Sequence, residues 1–407
     1  MNKKLQKYNE YLDFNKAKTN LKDVAKFTDL IKSDYFSENF GNDIYIKPEN
    51  LQVTGAFKIR GSYNKISKLN SEEKRCGLIT ASAGNHAQGV AYAAKKLCVE
   101  AVIVMPNNTP LIKINGTKKF GAKVIIHGDN YDEAYDYASR LCDEKNYTFI
   151  HPFNDLDVIE GQGTIALEIL EQLPDCDIII APIGGGGLIA GIATAAKRIN
   201  PKVKIIGAEP IGANCMNQSI VDGHVVCLDD VCTIADGVAV KKPGDITYTL
   251  TEEYVDEIMT ASDFEIMDAF IDLMEKHKLI SESSGALSLA IAKKIKPEGK
   301  KIVSVLSGGN IDTVTISSMV RRGLVSKGRI LSFSIALRDK PMELVNILNI
   351  ISGLGANIIE VYHDQFESVD KLSDIMLHIR IETNGHEHIK EITDKLYEKG
   401  YNVKITI

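Results

Sequence analysis

From residue 78 to residue 306 the sequence alternates short, β-branched apolar runs with longer segments of helical periodicity, and no other feature restricts the fold as much. Parallel strands need a crossover helix between them and are covered on both faces, so this alternation predicts a doubly wound, mostly parallel sheet of the α/β class. The expected strands are 101–105 (AVIVM), 123–127 (KVIIH), 177–181 (DIIIA), 203–208 (VKIIGA) and 301–306 (KIVSVL), each apolar enough to be buried on both faces. Helical patterns at 87–97, 131–146, 161–172 and 188–199 lie between them.

The pattern changes after Gly328. Residues 329–337 alternate as a strand, 342–353 read as a helix, 357–363 and 374–381 as strands, 388–399 as a helix and 402–407 as a strand. That order is βαββαβ, a ferredoxin-like unit large enough to fold alone. The expected cut falls at the polar joint Ser326-Lys327-Gly328, giving domains 1–325 and 329–407, with a smaller subdomain at about 48–152 inserted in the first.

A formal charge of -6 over 407 residues offers no basic field, so neither nucleic acid nor a membrane is expected as a partner and a small molecule is. The polar, lysine-rich start and the lack of any long apolar run predict a cytoplasmic protein. Seven cysteines, scattered and never spaced CxxC, predict buried free thiols rather than disulfides or zinc. His386 and His388 fall in a polar stretch without further ligands and predict a solvated loop, so no metal is expected there.

Four glycine-marked segments carry the chemistry. In 54–62 (TGAFKIRGS), Lys58 stands between Phe57 and Ile59 at the start of a helical pattern. A lone lysine is ordinarily solvated, but apolar flanks can desolvate this one, lower its pKa and free the amine for a Schiff base. Residues 82–89 (SAGNHAQG) follow a strand and open a helix, a place where main-chain N–H groups gather around a carboxylate or phosphate. His86 in that segment is equally readable as a structural histidine. The run Gly184-Gly185-Gly186-Gly187-Leu188 again lies between strand and helix. Four glycines exceed what a tight turn needs, and close approach of the backbone to a phosphate accounts for them. Ser307-Gly308-Gly309-Asn310 ends the last buried strand, where open α/β sheets bind ligands. A reactive lysine, one phosphate cradle and one carboxylate nest together point to pyridoxal phosphate holding an amino acid.

These segments resemble the threonine ammonia-lyases (threonine dehydratases), members of the fold type II, tryptophan-synthase-β-like pyridoxal-phosphate enzymes. The likeness rests on KPENLQVTGAFKIRG (47–61), TASAGNHAQGVA (80–91), MPNNTPLIKINGTKKFGA (105–122), HPFNDLDVIEGQGTIALEIL (151–170), GGGGL, IADGVAV (234–240), ESSGA (282–286) and LSGGNID (306–312). It implies that Lys58 is the Schiff-base lysine, that Phe57 lies near the cofactor ring and that Asn85 bonds the ring's phenolic oxygen. It also implies that Gly184, Gly185, Gly186, Gly187 and Leu188 wrap the phosphate. Ser307 and Gly308 would face the ring nitrogen, with Glu282 close by. Ser82, Ala83, Gly84, Asn85 and His86 would hold the substrate carboxylate, with Ser82 also at the reacting face.

The implied reaction is deamination of L-threonine to 2-oxobutanoate and ammonia, with L-serine as a second substrate. The alternatives are a serine dehydratase or racemase, and a non-catalytic amino-acid sensor. Where serine-racemase-like relatives hold a divalent cation, this chain reads Glu209, Ala213 and Cys215, and sulfur in place of a hard oxygen argues against magnesium or calcium. The C-terminal unit resembles an ACT domain, implying control by isoleucine or valine and a homodimer or homotetramer. Met342 stands where that family has glycine.

Overall fold

The β-branched runs become strands of three sheets. A computed structural model describes residues 3–364 and 374–406, and the chain divides into two units, Met1–Asp312 and Thr313–Ile407. In the first unit the strands are β1 (Ile31–Lys32), β2 (Asp43–Pro48), β3 (Leu78–Ala81), β4 (Ala101–Met105), β5 (Lys123–Ile126), β6 (Thr148–Phe149), β7 (Ile178–Pro182), β8 (Lys204–Pro210), β9 (Glu257–Ala261) and β10 (Lys301–Leu306). One sheet has the order β1-β2-β10-β7-β8-β9 and the other β5-β4-β3-β6. Every pairing in them is parallel except β1 with β2. The single alternation in the sequence therefore codes for two parallel sheets, the smaller built from the stretch between β2 and β7.

The strand expected at 123–127 is not buried on both faces: Ile126 is 42% exposed because β5 lies at the edge of its sheet. The helix expected from residue 161 starts at Leu156, since the Asp155 side chain accepts from the N–H groups of Asp157 and Val158 and caps it there. That helix, Leu156–Gln172, packs on helix Gly187–Ile199 so closely that a Cβ on Gly191 would lie 2.3 Å from the Ile159 carbonyl oxygen. Of the cysteines, only Cys176 and Cys215 are buried; Cys98, Cys227 and Cys232 are exposed, and all seven are free thiols.

In the second unit, β11 (Ile330–Arg338), β12 (Asn357–Asp364), β13 (Asp374–Glu382) and β14 (Val403–Ile405) form an antiparallel sheet of order β12-β13-β11-β14. Helices Glu343–Gly353 and His386–Glu398 supply Ile347, Ile351, Ile392 and Leu396 to a core with Phe333, Ile335, Leu377 and Ile379. This is the ferredoxin-like βαββαβ arrangement. His386 and His388 open a helix instead of lying in a loop, and His388 Nε2 meets the Leu354 carbonyl oxygen at 2.9 Å. Met342 takes φ +73°, in the left-handed region that favours glycine. The division between the units places helix Thr313–Ser326 with the C-terminal one. Ile407, the end of the expected closing strand, lies outside the described residues.

At the heart of the first unit sit four buried charged side chains, Lys47, Glu49, Arg60 and Glu168. Arg60 forks onto both carboxylates: Nε and Nη2 each reach Glu49 at 2.8 Å, while Nη1 and Nη2 reach Glu168 at 2.6 and 3.0 Å. Lys47 Nζ donates to Glu168 at 2.6 Å and to the Thr28 carbonyl at 2.5 Å. Burial alone would push the Glu49 carboxyl up, but the adjacent guanidinium overrides it and holds the group below the usual range. Two cations against two anions leave the cluster neutral. Arg60→Met leaves both carboxylates short of their counter-charge and is expected to cost about 3–5 kcal/mol, read as a lowered midpoint in denaturant; an unchanged midpoint would refute the coupling.

Candidate active site

The four glycine-marked segments all follow the C-terminal ends of parallel strands. Lys58 opens helix Lys58–Lys68, shortly after β2; Ser82–Gly84 follow β3 and lead into helix Asn85–Lys96; the tetraglycine run follows β7; Ser307 follows β10. Main-chain bonds join the first and last of these, with the Phe57 N–H donating to the Ser307 carbonyl at 3.0 Å and the Gly309 N–H to Gly55 at 2.9 Å. An isolated bridge pairs Ala56 with Gly308.

Lys58 keeps part of its surface open, yet its amine is closely surrounded by protein: it donates to the Pro152 carbonyl at 2.7 Å and sits 5.3 Å from the Phe57 ring centroid. Desolvation lowers its pKa to about 8, against the opposing pull of the Glu282 carboxylate. A residue partly open while its amine is desolvated lines an internal cleft. The next residue after Pro152 walls the glycine run, for a Cβ on Gly185 would meet the Phe153 ring at 2.3 Å and one on Gly187 would meet Phe153 at 3.0 Å. His151 braces this turn, its Nδ1 accepting from the N–H groups of Phe153 at 3.2 Å and Asn154 at 2.8 Å. Burial lowers that imidazole to about 4, which keeps it a neutral acceptor.

The glycine run is built to receive an anion. Gly186 has φ +93° and begins helix Gly187–Ile199 with no side-chain cap, so the first helical N–H groups stand free for a ligand. The Gly185 carbonyl is held away by Thr247 Oγ1 at 2.6 Å and the Gly244 N–H at 3.3 Å. Leu188, in the first turn, is buried. Over the run lies the 234–240 loop, with Val238 Cα 3.0 Å from a Cβ built on Gly184.

Asn85 donates through Nδ2 to Glu282 Oε1 at 2.7 Å and accepts on Oδ1 from Asn310 Nδ2 at 2.8 Å. Burial, helped by Asp236, raises the Glu282 carboxyl to about 7, so it can hold a proton near neutral pH. Beneath Gly237 the Ser284 hydroxyl is buried without a hydrogen-bond partner. Ser307 is buried, while Ser82, Ala83 and Gly84 are half-buried, with Ser82 Oγ accepting from the Gly84 N–H at 3.2 Å. The His86 ring turns into the core, its Nε2 3.0 Å from the Ile150 carbonyl oxygen, and desolvation lowers it to about 3. What His86 can still offer an anion is its main-chain N–H.

In the 209–215 stretch, the Glu209 carboxylate is taken by the N–H groups of Met216 at 2.9 Å and Asn217 at 2.8 Å. Among the described residues no helix is long and apolar enough to cross a membrane. His151, Pro152, Phe153, Asp236, Gly237, Ser284 and Asn310 lie in segments named in the expectation but had no role of their own there. Asn310 acts through Asn85 and Asp236 through Lys113, both far along the chain, whereas His151 acts on Phe153 and Asn154 beside it. HPFND (151–155) and SGGN (307–310) were the available signals.

A family model described as pyridoxal-phosphate dependent enzyme matches residues 21–308. The L-threonine ammonia-lyase of Thermotoga maritima is 44% identical over 97% of this chain and 98% of its own. Among solved structures, the processed form of threonine deaminase isoform 2 from Solanum lycopersicum superposes with TM-score 0.72 at 41% identity, covering 76% of this chain and 92% of that one. Maize serine racemase gives TM-score 0.72 at 37% identity, over 77% and 97%. The cleft fits the cofactor of that family: it brings a desolvated amine, a glycine run too closely walled by Phe153, Val238 and Thr247 to carry any Cβ, and an unpartnered buried hydroxyl beneath the covering loop. Gly185→Ala drives a methyl into the Phe153 ring and is expected to weaken binding of pyridoxal phosphate at least tenfold, measured by equilibrium dialysis against the apoprotein; unaltered binding would remove the cradle from the site.

Proposed function

The chain belongs to the pyridoxal-phosphate-dependent enzymes, and from that premise we propose that it deaminates L-threonine to 2-oxobutanoate and ammonia, accepting L-serine as well. The observation that carries this reading is the meeting of the Lys58 amine, the tetraglycine run, Ser307 and the Ser82–His86 turn at the C-terminal ends of parallel strands. Lys58 would hold the cofactor, the N–H groups of Gly184, Gly185, Gly186, Gly187 and Leu188 its phosphate, and Asn85 its phenolic oxygen. Phe57 would pack beside the ring, with Ser307 and Gly308 at its nitrogen and Glu282 close to the phenolic side.

Once bound, the cofactor supplies an electron sink for the pair left at Cα when the substrate loses its proton. The chain's own groups do the rest. Main-chain N–H groups in the Ser82–His86 turn would orient the substrate carboxylate, that of Ser82 itself being spent on the Val104 carbonyl at 3.1 Å. The Lys58 amine, near neutrality because it is desolvated, takes the Cα proton at Nζ. Ser82 faces the reacting carbon. Glu282 can hold a proton beside that centre at neutral pH. Ser307 is uncharged, so it does not force a proton onto the ring nitrogen, and departure of the β-hydroxyl is favoured over amino transfer.

One methyl separates threonine from serine and is worth only about 1–3 kcal/mol in an apolar pocket, which supports a shared substrate range. The same reading places the enzyme in the cytoplasm as a homodimer or homotetramer. It assigns the ferredoxin-like unit to sensing isoleucine or valine.

Release of 2-oxoacid from threonine and serine, with and without isoleucine, tests the activity and its control; no release from either substrate would end this reading. Lys58→Ala is expected to abolish turnover. Because only the neutral amine attacks an aldehyde, loading of the apoenzyme with pyridoxal phosphate should quicken as pH rises through about 8. A loading rate flat across that range would contradict the role given to Lys58.

A further inference from the structure

We propose that Asn310 is a positioning residue for this site: anchored on the Thr54 carbonyl, its amide holds the Asn85 amide in the one orientation that turns Nδ2 toward Glu282 and the cofactor. The inference rests on reading the cleft as a cofactor site.

A primary amide has a donor end and an acceptor end of nearly the same shape, so its orientation is decided by its neighbours. Asn310 Nδ2 donates to the Thr54 carbonyl at 2.7 Å and to Asn85 Oδ1 at 2.8 Å. The first of these acceptors is main chain, which can neither turn over nor donate. Asn310 must therefore present its NH2 there, and Asn85 must present oxygen to that NH2. What remains of Asn85 is Nδ2, which meets Glu282 Oε1 at 2.7 Å. With Asn85 reversed, two NH2 groups would meet at Asn310 with no acceptor between them.

The position of Asn310 serves the same end. It follows the Ser307–Gly309 stretch whose main chain is laced to residues 55–57. Gly55, at φ +72°, passes so close that a Cβ there would stand 2.4 Å from Asn310 Oδ1. One side chain thus registers the segment carrying Lys58, the start of helix Asn85–Lys96 and the segment carrying Ser307.

Two variants separate orientation from simple stapling. Asn310→Ala removes both bonds, while Asn310→Asp places an acceptor opposite Asn85, recruits its Nδ2 and turns Oδ1 toward the cofactor. Losing one bond to a charged group corresponds to about tenfold or more in affinity. The apoprotein carrying Asn310→Ala should therefore bind pyridoxal phosphate about tenfold more weakly than wild type. Asn310→Asp should be weaker again by a similar factor, and the pH midpoint of its cofactor's visible absorption band should move. Equal weakening in both variants with an unmoved midpoint would reduce Asn310 to a loop staple and overturn the proposal. Failure of the wild-type protein to bind pyridoxal phosphate would instead sink the reading of the cleft. If Asn310→Asp does not fold, neutron diffraction from wild-type crystals decides the matter: deuterons on the Asn85 atom facing Glu282 support the proposal, and deuterons on the atom facing Asn310 refute it.

Discussion

A guanidinium gripped on both sides by carboxylates holds the first unit together around its chemistry. Arg60 stands two residues beyond Lys58 on the same helix, and its partners come from elsewhere, Glu49 from the turn after β2 and Glu168 from helix Leu156–Gln172. Planar forks match carboxylates in few geometries, so the helix cannot rotate or slide without parting charges that have no water to fall back on. Buried ion pairs seldom add much net stability over apolar packing of equal volume. Here their value lies in register: the helix start that presents the Lys58 amine is placed by charges anchored on Arg60, two residues on.

The same dry interior tunes the groups that face the cleft, and it moves acids and bases in opposite directions. Desolvation lowers Lys58 to about 8 and raises Glu282 to about 7, bringing a base and an acid toward a common pH from opposite ends of the scale. His86 and His151 are lowered to about 3 and about 4, so both stay neutral and serve as braces for the main chain at Ile150 and at the Pro152–Phe153 turn. Parallel strands explain why such groups collect at all. Strands that all run one way deliver their following loops to one edge of the sheet, and helix N-termini, with unpaired N–H groups, arrive at that edge with them.

The legible parts of the sequence were those governed by short-range rules. Apolar runs became strands, and the glycine run between β7 and its helix could be read as an anion cradle because four glycines have no cheaper explanation. Errors arose where a neighbour in space decides. The run at 123–126 is as apolar as its companions but lies at a sheet edge, a matter of strand order that no local pattern encodes. Helix Leu156–Gln172 starts five residues before the expected position because the Asp155 side chain caps it there. Asn310 lies in a segment marked by its glycines, but its partner Asn85 is far along the chain and only folding brings the two together.

Taken alone, the sequence determined a parallel α/β alternation, the ferredoxin-like order at the C-terminus, and which four segments could hold a phosphate, a carboxylate and a reactive amine. These follow from periodicity and from the backbone freedom of glycine, which are properties of neighbours in the chain. Only the tertiary structure decided that the alternation divides into two sheets, that burial lowers Lys58 and raises Glu282, and that Asn310 stands opposite Asn85. Proton affinity and hydrogen-bond polarity depend on what excludes water from a group and what stands opposite it, and those neighbours are brought together by folding.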